Sequence, residues 1–263
     1  MSSLSSIWKK YVPGLTALTL LISATGCADV EEADLTSAER DDMLGQVQLA
    51  LIKGTNADNL APQLGLVRLW GNRPEGGFRP FCSGVVLSPT MVATSLHCFT
   101  ESGLSAPNVA FSVGLQVSWG KSYIPQPSRD YAVVMLAQSL APTMPANYAR
   151  PKDFIDPEAA VGREVTCYGR GNVLANGGPD YYAPWTSGRF LITRREGPNV
   201  NGGFWIQKGI GTGAVVTFGD SGGPCFFSGP GSTPQNMVLV GNMRGGNEGV
   251  GGEFWAFVQT YGS

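Results

Sequence analysis

A chain of 263 residues that is 43% hydrophobic and only 14% charged can bury a sizeable core, which excludes an intrinsically disordered protein. A formal charge of −2 without a Lys/Arg cluster leaves no electrostatic footprint for nucleic acid. Thirty-six glycines and eighteen prolines break the apolar residues into short runs, a pattern of strands and turns rather than long helices, so the expected class is all-β.

The chain opens with three compositional zones. Residues 1–26 carry Lys9 and Lys10, the apolar run VPGLTALTLLISA and a small-residue end, ATG, leading into Cys27, the layout of an export signal peptide. The run is shorter than the roughly 20 residues of a membrane span and contains Pro13 and Gly14. Small residues leading into Cys27 resemble a bacterial lipoprotein signal, in which that cysteine is lipidated and becomes the new N-terminus. Ordinary cleavage and secretion is the alternative, and any membrane association is expected only through this anchor. Residues 27–50 hold seven acids against Arg40 and no aromatic residue, the composition of a propeptide or linker. The domain proper is expected over 51–263.

From Leu51 onward, strand-length apolar runs recur: LGLVRLW, SGVVLS, MVAT, VAFSV, YAVVML, EVTCYG, RFLIT, FWIQK, PCFF, MVLVG and FWAFV. No run has a helical period, and no repeat recurs at a fixed interval. Setting Cys27 aside leaves Cys82, Cys98, Cys167 and Cys225, an even number in an exported chain, which points to two disulfides. With no C-x-x-C spacing and one histidine, a zinc site is not expected, nor is any other metal or cofactor.

Two stretches carry chemistry. MVATSLHCFT, residues 91–100, holds the chain's single histidine, His97. In TFGDSGGPC, residues 217–225, glycines flank Asp220 and Ser221, letting the backbone turn sharply and expose a serine oxygen. A serine nucleophile needs a base, and His97 is the sole imidazole available. A third group must orient the ring. Asp130, entering the apolar run of SRDYAVVML, suits this better than Asp153 or Asp156, which lack a flanking apolar strand. GDSGG also satisfies the G-x-S-x-G elbow of α/β-hydrolases, but that fold places its histidine after the serine, and none follows Ser221.

CSGVVLSPTMVATSLHC, RDYAVVML and GDSGGP resemble the three signature segments of the chymotrypsin/trypsin serine proteases, in the family's order His, Asp, Ser. LIKGTNA and VGNMRGG extend the similarity over nearly all of residues 51–263. The resemblance implies two six-stranded antiparallel β-barrels, His97 and Asp130 on the first and Ser221 on the second, with protein or peptide substrates cut in the cleft between them. It implies Ser221 as nucleophile, His97 as general base, Asp130 as orienting acid, and the N–H groups of Gly219 and Ser221 as the oxyanion hole. A non-catalytic binding protein on the same fold is the alternative. FWAFV is followed only by QTYGS, so the family's closing C-terminal helix is expected to be absent.

The same resemblance pairs Cys82 with Cys98 beside the histidine. The family's other cysteines align with Val165 and Phe227, whereas this chain has Cys167 and Cys225. Opposed residues on an antiparallel ladder move by equal and opposite steps, so this bridge is displaced along one ladder without changing face, giving Cys167–Cys225. Val215, followed by Val216, stands where trypsin-like members place an acid, which implies a preference for apolar residues before the cut bond. Arg244, Gly245 and Gly246 align with the substrate-binding segment. Arg244 replaces a serine that hydrogen-bonds the catalytic aspartate, and would either point outward or stand as a cation beside Asp130. Leu51 aligns with the new N-terminus of an activated zymogen, implying a cut at Ala50–Leu51 and an α-ammonium paired with Asp220.

Overall fold

The computed structural model describes residues 54–73, 77–127, 130–140, 161–171, 183–195, 203–206, 214, 216–217, 219–227, 232–234, 236–248 and 254–260. The expected signal and acidic segments, Cys27, Leu51, Asp153, Asp156 and Val215 lie outside the described residues.

A short strand, β1 (Thr55–Asn56), precedes six strands that close into a barrel: β2 (Leu66–Asn72), β3 (Phe78–Ser88), β4 (Met91–Ser95), β5 (Ala110–Val113), β6 (Gln116–Gln126) and β7 (Tyr131–Leu136). Their order around the barrel is β2-β3-β4-β7-β6-β5. Alternation decides what faces inward. In β7, YAVVML, the side chains of Ala132, Val134 and Leu136 are buried and the intervening ones are not fully covered. They meet Val67, Leu69, Val92 and Phe111 in one core.

The remaining strands are β8 (Glu164–Gly169), β9 (Thr186–Arg195), β10 (Gly203–Ile206), β11 (Pro224–Phe227), β12 (Val238–Glu248) and β13 (Phe254–Thr260). They form a sheet ordered β1-β9-β10-β13-β12-β11-β8, and an added β8–β9 pairing returns that order on itself. The result is a second six-stranded ring, with β1 riding on β9. Val165, Cys167, Phe190, Ile192, Cys225 and Val240 fill its core. A third buried cluster draws Leu66 and Val85 from the first barrel and Tyr168 and Phe226 from the second, so the two are joined by apolar packing.

The strands expected from the apolar runs are present, including β13, whose partners are β10 and β12. β6 was not legible. Its sequence, QVSWGKSYIPQ, keeps most side chains outside, and those it buries include Ser118 rather than a hydrophobe. The Cys167–Cys225 bridge links directly opposed residues of β8 and β11. Phe227 and Val165 oppose each other two steps along the same ladder, and all four belong to the same core.

Candidate active site

The site grows from three loops that meet where the barrels touch. The first follows β4. After Ser95 the chain turns into a four-residue helix, His97–Thr100, which His97 opens. Phe99, buried in the first core, stacks on Tyr123 of β6 at 4.6 Å between ring centroids. Burying a phenylalanine stabilises by about 1.5–3 kcal/mol, which presses this short helix onto the barrel. The Cys82–Cys98 disulfide ties the same helix to β3. His97 is thus anchored by covalent and apolar contacts at the next two residues.

The second loop delivers Asp130 just before β7. Its backbone is left-handed, with φ of 46°. Aspartate tolerates that region better than most residues, yet the conformation is uncommon and persists only where surroundings dictate it. Here the surroundings are the start of the His97 helix. The Leu96 N–H donates to the Asp130 carbonyl at 2.9 Å, the His97 N–H donates to Oδ1 at 2.7 Å, and the ring Nδ1 lies 2.6 Å from Oδ2. A carboxylate that takes the free N–H at a helix start acts as its cap. The same group holds the imidazole with Nδ1 turned inward, leaving Nε2 for chemistry.

The third loop, Gly219–Gly223, belongs to the second barrel. Gly219 and Gly222 have φ of 90° and 83°. Gly222 also sits where a Cβ would come within 2.1 Å of the Ser83 carbonyl oxygen and 2.2 Å of Thr94 Oγ1. That close approach lets the barrels exchange hydrogen bonds. The Ser83 N–H donates to the Ser221 carbonyl at 2.8 Å, and the Ser83 hydroxyl to the Gly219 carbonyl at 2.8 Å. The Ser95 hydroxyl donates to the Met243 carbonyl at 2.9 Å. Asn242, fully buried, donates to the Gly222 carbonyl. These polar residues escaped the sequence reading; the usable signal was that Ser83 and Gly222 stand inside the CSG and GDSGGP segments.

Asp220 is fully buried. Its carboxylate accepts the Gly171 N–H at 2.6 Å and the Thr217 N–H at 2.8 Å, which replace part of the lost hydration. Ser221, next in sequence, has its carbonyl oxygen 3.9 Å from Cys98 Sγ, so it adjoins the His97 helix. Its hydroxyl donates to the Arg244 carbonyl at 3.4 Å, and no hydrogen bond joins it to His97. Among the described residues, the N–H groups of Gly219 and Ser221 have no acceptor.

Of the other residues expected here, Arg244 is half-exposed and turns toward Asp130, with Nε 3.4 Å from Oδ2. Gly245 and Gly246 follow it on β12. Val216 is buried within the second barrel's core. Cys82, His97 and Cys98 place three potential metal-ligand atoms within 4.8 Å of one another, but both sulfurs are spent in a disulfide, leaving no thiolate to bind an ion.

The family model described as Trypsin matches residues 71–259. Serine protease 56 of Homo sapiens is 26% identical over 194 residues, covering 65% of this chain and 31% of that protein. The chain therefore spans about a third of the curated relative it matches. The crystal structure of the Rv3671c protease from M. tuberculosis, in its active form, is similar with a TM-score of 0.51 and 20% identity, over 78% of this chain and 80% of that one. At that identity the likeness concerns the fold.

Proposed function

Because the chain belongs to the trypsin family of serine proteases, we propose that it is a serine endopeptidase working through Ser221, His97 and Asp130. The observation that supports this most is the two-point hold of Asp130 on His97, set beside a half-buried serine from the other barrel. In the proposed reaction, Ser221 leaves its resting hydrogen bond to Arg244 and gives its proton to His97 Nε2 as Oγ attacks the peptide carbonyl. The oxyanion forms against the Gly219 and Ser221 amides. His97 then returns the proton to the leaving amine, and water hydrolyses the acyl-enzyme by the same route. Asp130 holds the imidazole through Nδ1.

The proposal extends to apolar residues before the cut bond, on the ground that valines occupy 215 and 216 and an unpaired lysine entering an apolar pocket would lose its hydration. It extends also to activation by a cut at Ala50–Leu51, with the new α-ammonium joining the buried Asp220 carboxylate. Export is part of the reading, since both disulfides suit an oxidising compartment, with Cys27 either lipidated or removed.

One observation favours a second reading, a non-catalytic binding protein: the Ser221 hydroxyl is bonded to Arg244 and not to His97. Catalytic hydrogen bonds often tighten only when substrate arrives, so the endopeptidase reading is preferred. A fluorophosphonate probe decides between them. Labelling at Ser221, with peptide hydrolysis lost by more than about a hundredfold in Ser221→Ala, is expected. An unlabelled Ser221 in processed protein would establish the binding protein instead. N-terminal analysis of the active form tests the activation step, since full activity with residues 27–50 attached would rule it out.

A further inference from the structure

Four of the six large hydrophobic side chains exposed among the described residues belong to one outer face of the first barrel. Leu115 is fully exposed, and Val117, Trp119 and Phe78 are 55%, 48% and 49% exposed. Strand register explains the grouping. Val113 opposes Gln116, so β5 and β6 are joined by the two-residue turn Gly114–Leu115, with Gly114 supplying a φ of 56° and Leu115 at the tip. Val117 and Trp119 follow on one side of β6, with Ser118 buried between them. Trp119 opposes Ala110, which opposes Trp70 on β2, and the Phe78 ring lies 5.8 Å from that of Trp119 and 6.2 Å from that of Trp70. The Trp70 indole N–H donates to Ser112 at 2.8 Å, whereas the Trp119 indole has no hydrogen-bond partner among the described residues.

Charge, shape and the preceding chain indicate what covers this face. Strands β2, β3, β5 and β6 carry Arg68, Arg79 and Lys121 and no aspartate or glutamate. Arg68 pairs with Asp58, while Arg79 adjoins Phe78 and Lys121 lies two residues beyond Trp119, so an anionic occupant is favoured. The outside of a closed barrel is convex, and a leucine on a two-residue turn makes it more so. An identical face on a second copy offers no pocket for that leucine. A bilayer needs none: the leucine enters hydrocarbon, the indole N–H meets water and headgroups, and the cations meet lipid phosphates. Residues 28–53 link Cys27 to the described domain and span up to ~85 Å when extended, so a lipid on Cys27 would keep this face within reach of a membrane.

We propose that Leu115, Val117, Trp119 and Phe78 form a docking surface for an anionic phospholipid bilayer, with Leu115 inserted and the two aromatic rings at headgroup level. The attachment is peripheral, made by side chains of a hairpin and its neighbouring strands, and reversible, because the apolar area is small. None of the four residues belongs to the proposed triad, so the surface does not depend on the endopeptidase reading.

Residues 27–263, produced without the signal, carry no lipid on Cys27, and any vesicle binding is then the protein's own. Mixed phosphatidylglycerol and phosphatidylcholine vesicles should sediment it, phosphatidylcholine alone should sediment several-fold less, and added salt should narrow the difference. Leu115→Ser should lower the partition coefficient about tenfold, and Leu115→Ser combined with Val117→Ser on the order of a hundredfold, both at the wild-type melting temperature because these side chains are exposed. Phospholipids brominated on their acyl chains should quench wild-type tryptophan fluorescence and quench Trp119→Phe much less. Wild-type protein that ignores both kinds of vesicle, or Leu115→Ser that binds as the wild type does, would overturn the proposal. A lipid-free dimer broken by Leu115→Ser would overturn it too, making the face an interface between copies. If the serine variants do not fold, wild-type fluorescence untouched by brominated lipid overturns it. Fluorophosphonate labelling of Ser221 in solution is expected to be the same in Leu115→Ser and wild type, and a wild type that binds vesicles but resists the label would end the endopeptidase reading while sustaining the docking surface.

Discussion

Asp130 grips His97 at two points, taking the backbone N–H on Oδ1 at 2.7 Å and facing the ring Nδ1 with Oδ2 at 2.6 Å. The first contact builds the helix start and the second orients the ring, so one carboxylate couples local folding to the chemistry proposed.

Asp130→Asn separates these roles. An asparagine keeps the shape and can still accept the backbone N–H, but it cannot remain an anion opposite Nδ1, and it favours the wrong imidazole tautomer. The expected result is near-wild-type thermal stability with kcat lowered by about 10⁴, as for the corresponding change in the Ser-His-Asp template. Asp130→Ala should lose stability as well. Equal loss of stability in both variants would show that the charge, not the cap, holds the helix.

Gly222→Ala places a methyl group against the Ser83 carbonyl and Thr94 Oγ1 and forces alanine to a φ of 83°. The left-handed conformation alone costs about 1–2 kcal/mol, and the clash adds to it. Thermal unfolding should fall by several degrees, and activity should fall with it because the seam that carries Ser221 is pushed open. A variant with the wild-type melting temperature would mean that the barrels tolerate separation at this point.

The two disulfides should differ in worth. Cys82–Cys98 closes a separation of 16 residues and Cys167–Cys225 one of 58. In the chain-entropy account these contribute about 3 and about 4 kcal/mol. Paired Cys→Ala variants measured by chemical denaturation should follow that order. Activity should follow the opposite one, because only the shorter loop ends beside His97.

Alkali should unfold the protein through its buried tyrosines. Tyr168 lies edge-on to Phe226, and burial pushes its phenol up to about 12 from the ordinary 10.0. Tyr131 is pushed in the same direction by the same cause. The unfolded chain ionises first, so the stability from the neutral phenols is fully present below pH 10 and is lost as pH rises through 12. The melting temperature should hold steady to about pH 9 and then decline. Tyr168→Phe should remove part of the decline, whereas a profile flat through pH 11.5 would contradict the burial argument (about one and a half units above the free phenol).

By itself the amino-acid sequence determined the β class and most of the strands, and it singled out the residues proposed for the site. A lone histidine, a glycine-flanked serine and an aspartate entering an apolar run are rare enough to be found one-dimensionally. The displaced Cys167–Cys225 bridge was legible too, because the family resemblance implied a bridged ladder pair at Val165 and Phe227 and register fixes how such a pair moves along its ladder. β6 was not, since a strand that buries few hydrophobes leaves no alternation to read. The polar seam of Ser83, Ser95 and Asn242 was hidden for a related reason: each is an ordinary surface residue until another barrel covers it. Only the tertiary structure decided where Arg244 points. Its direction follows from a bulge on β12 between Met243 and Gly245, and a bulge is a mismatch between two strands that neither strand's sequence contains.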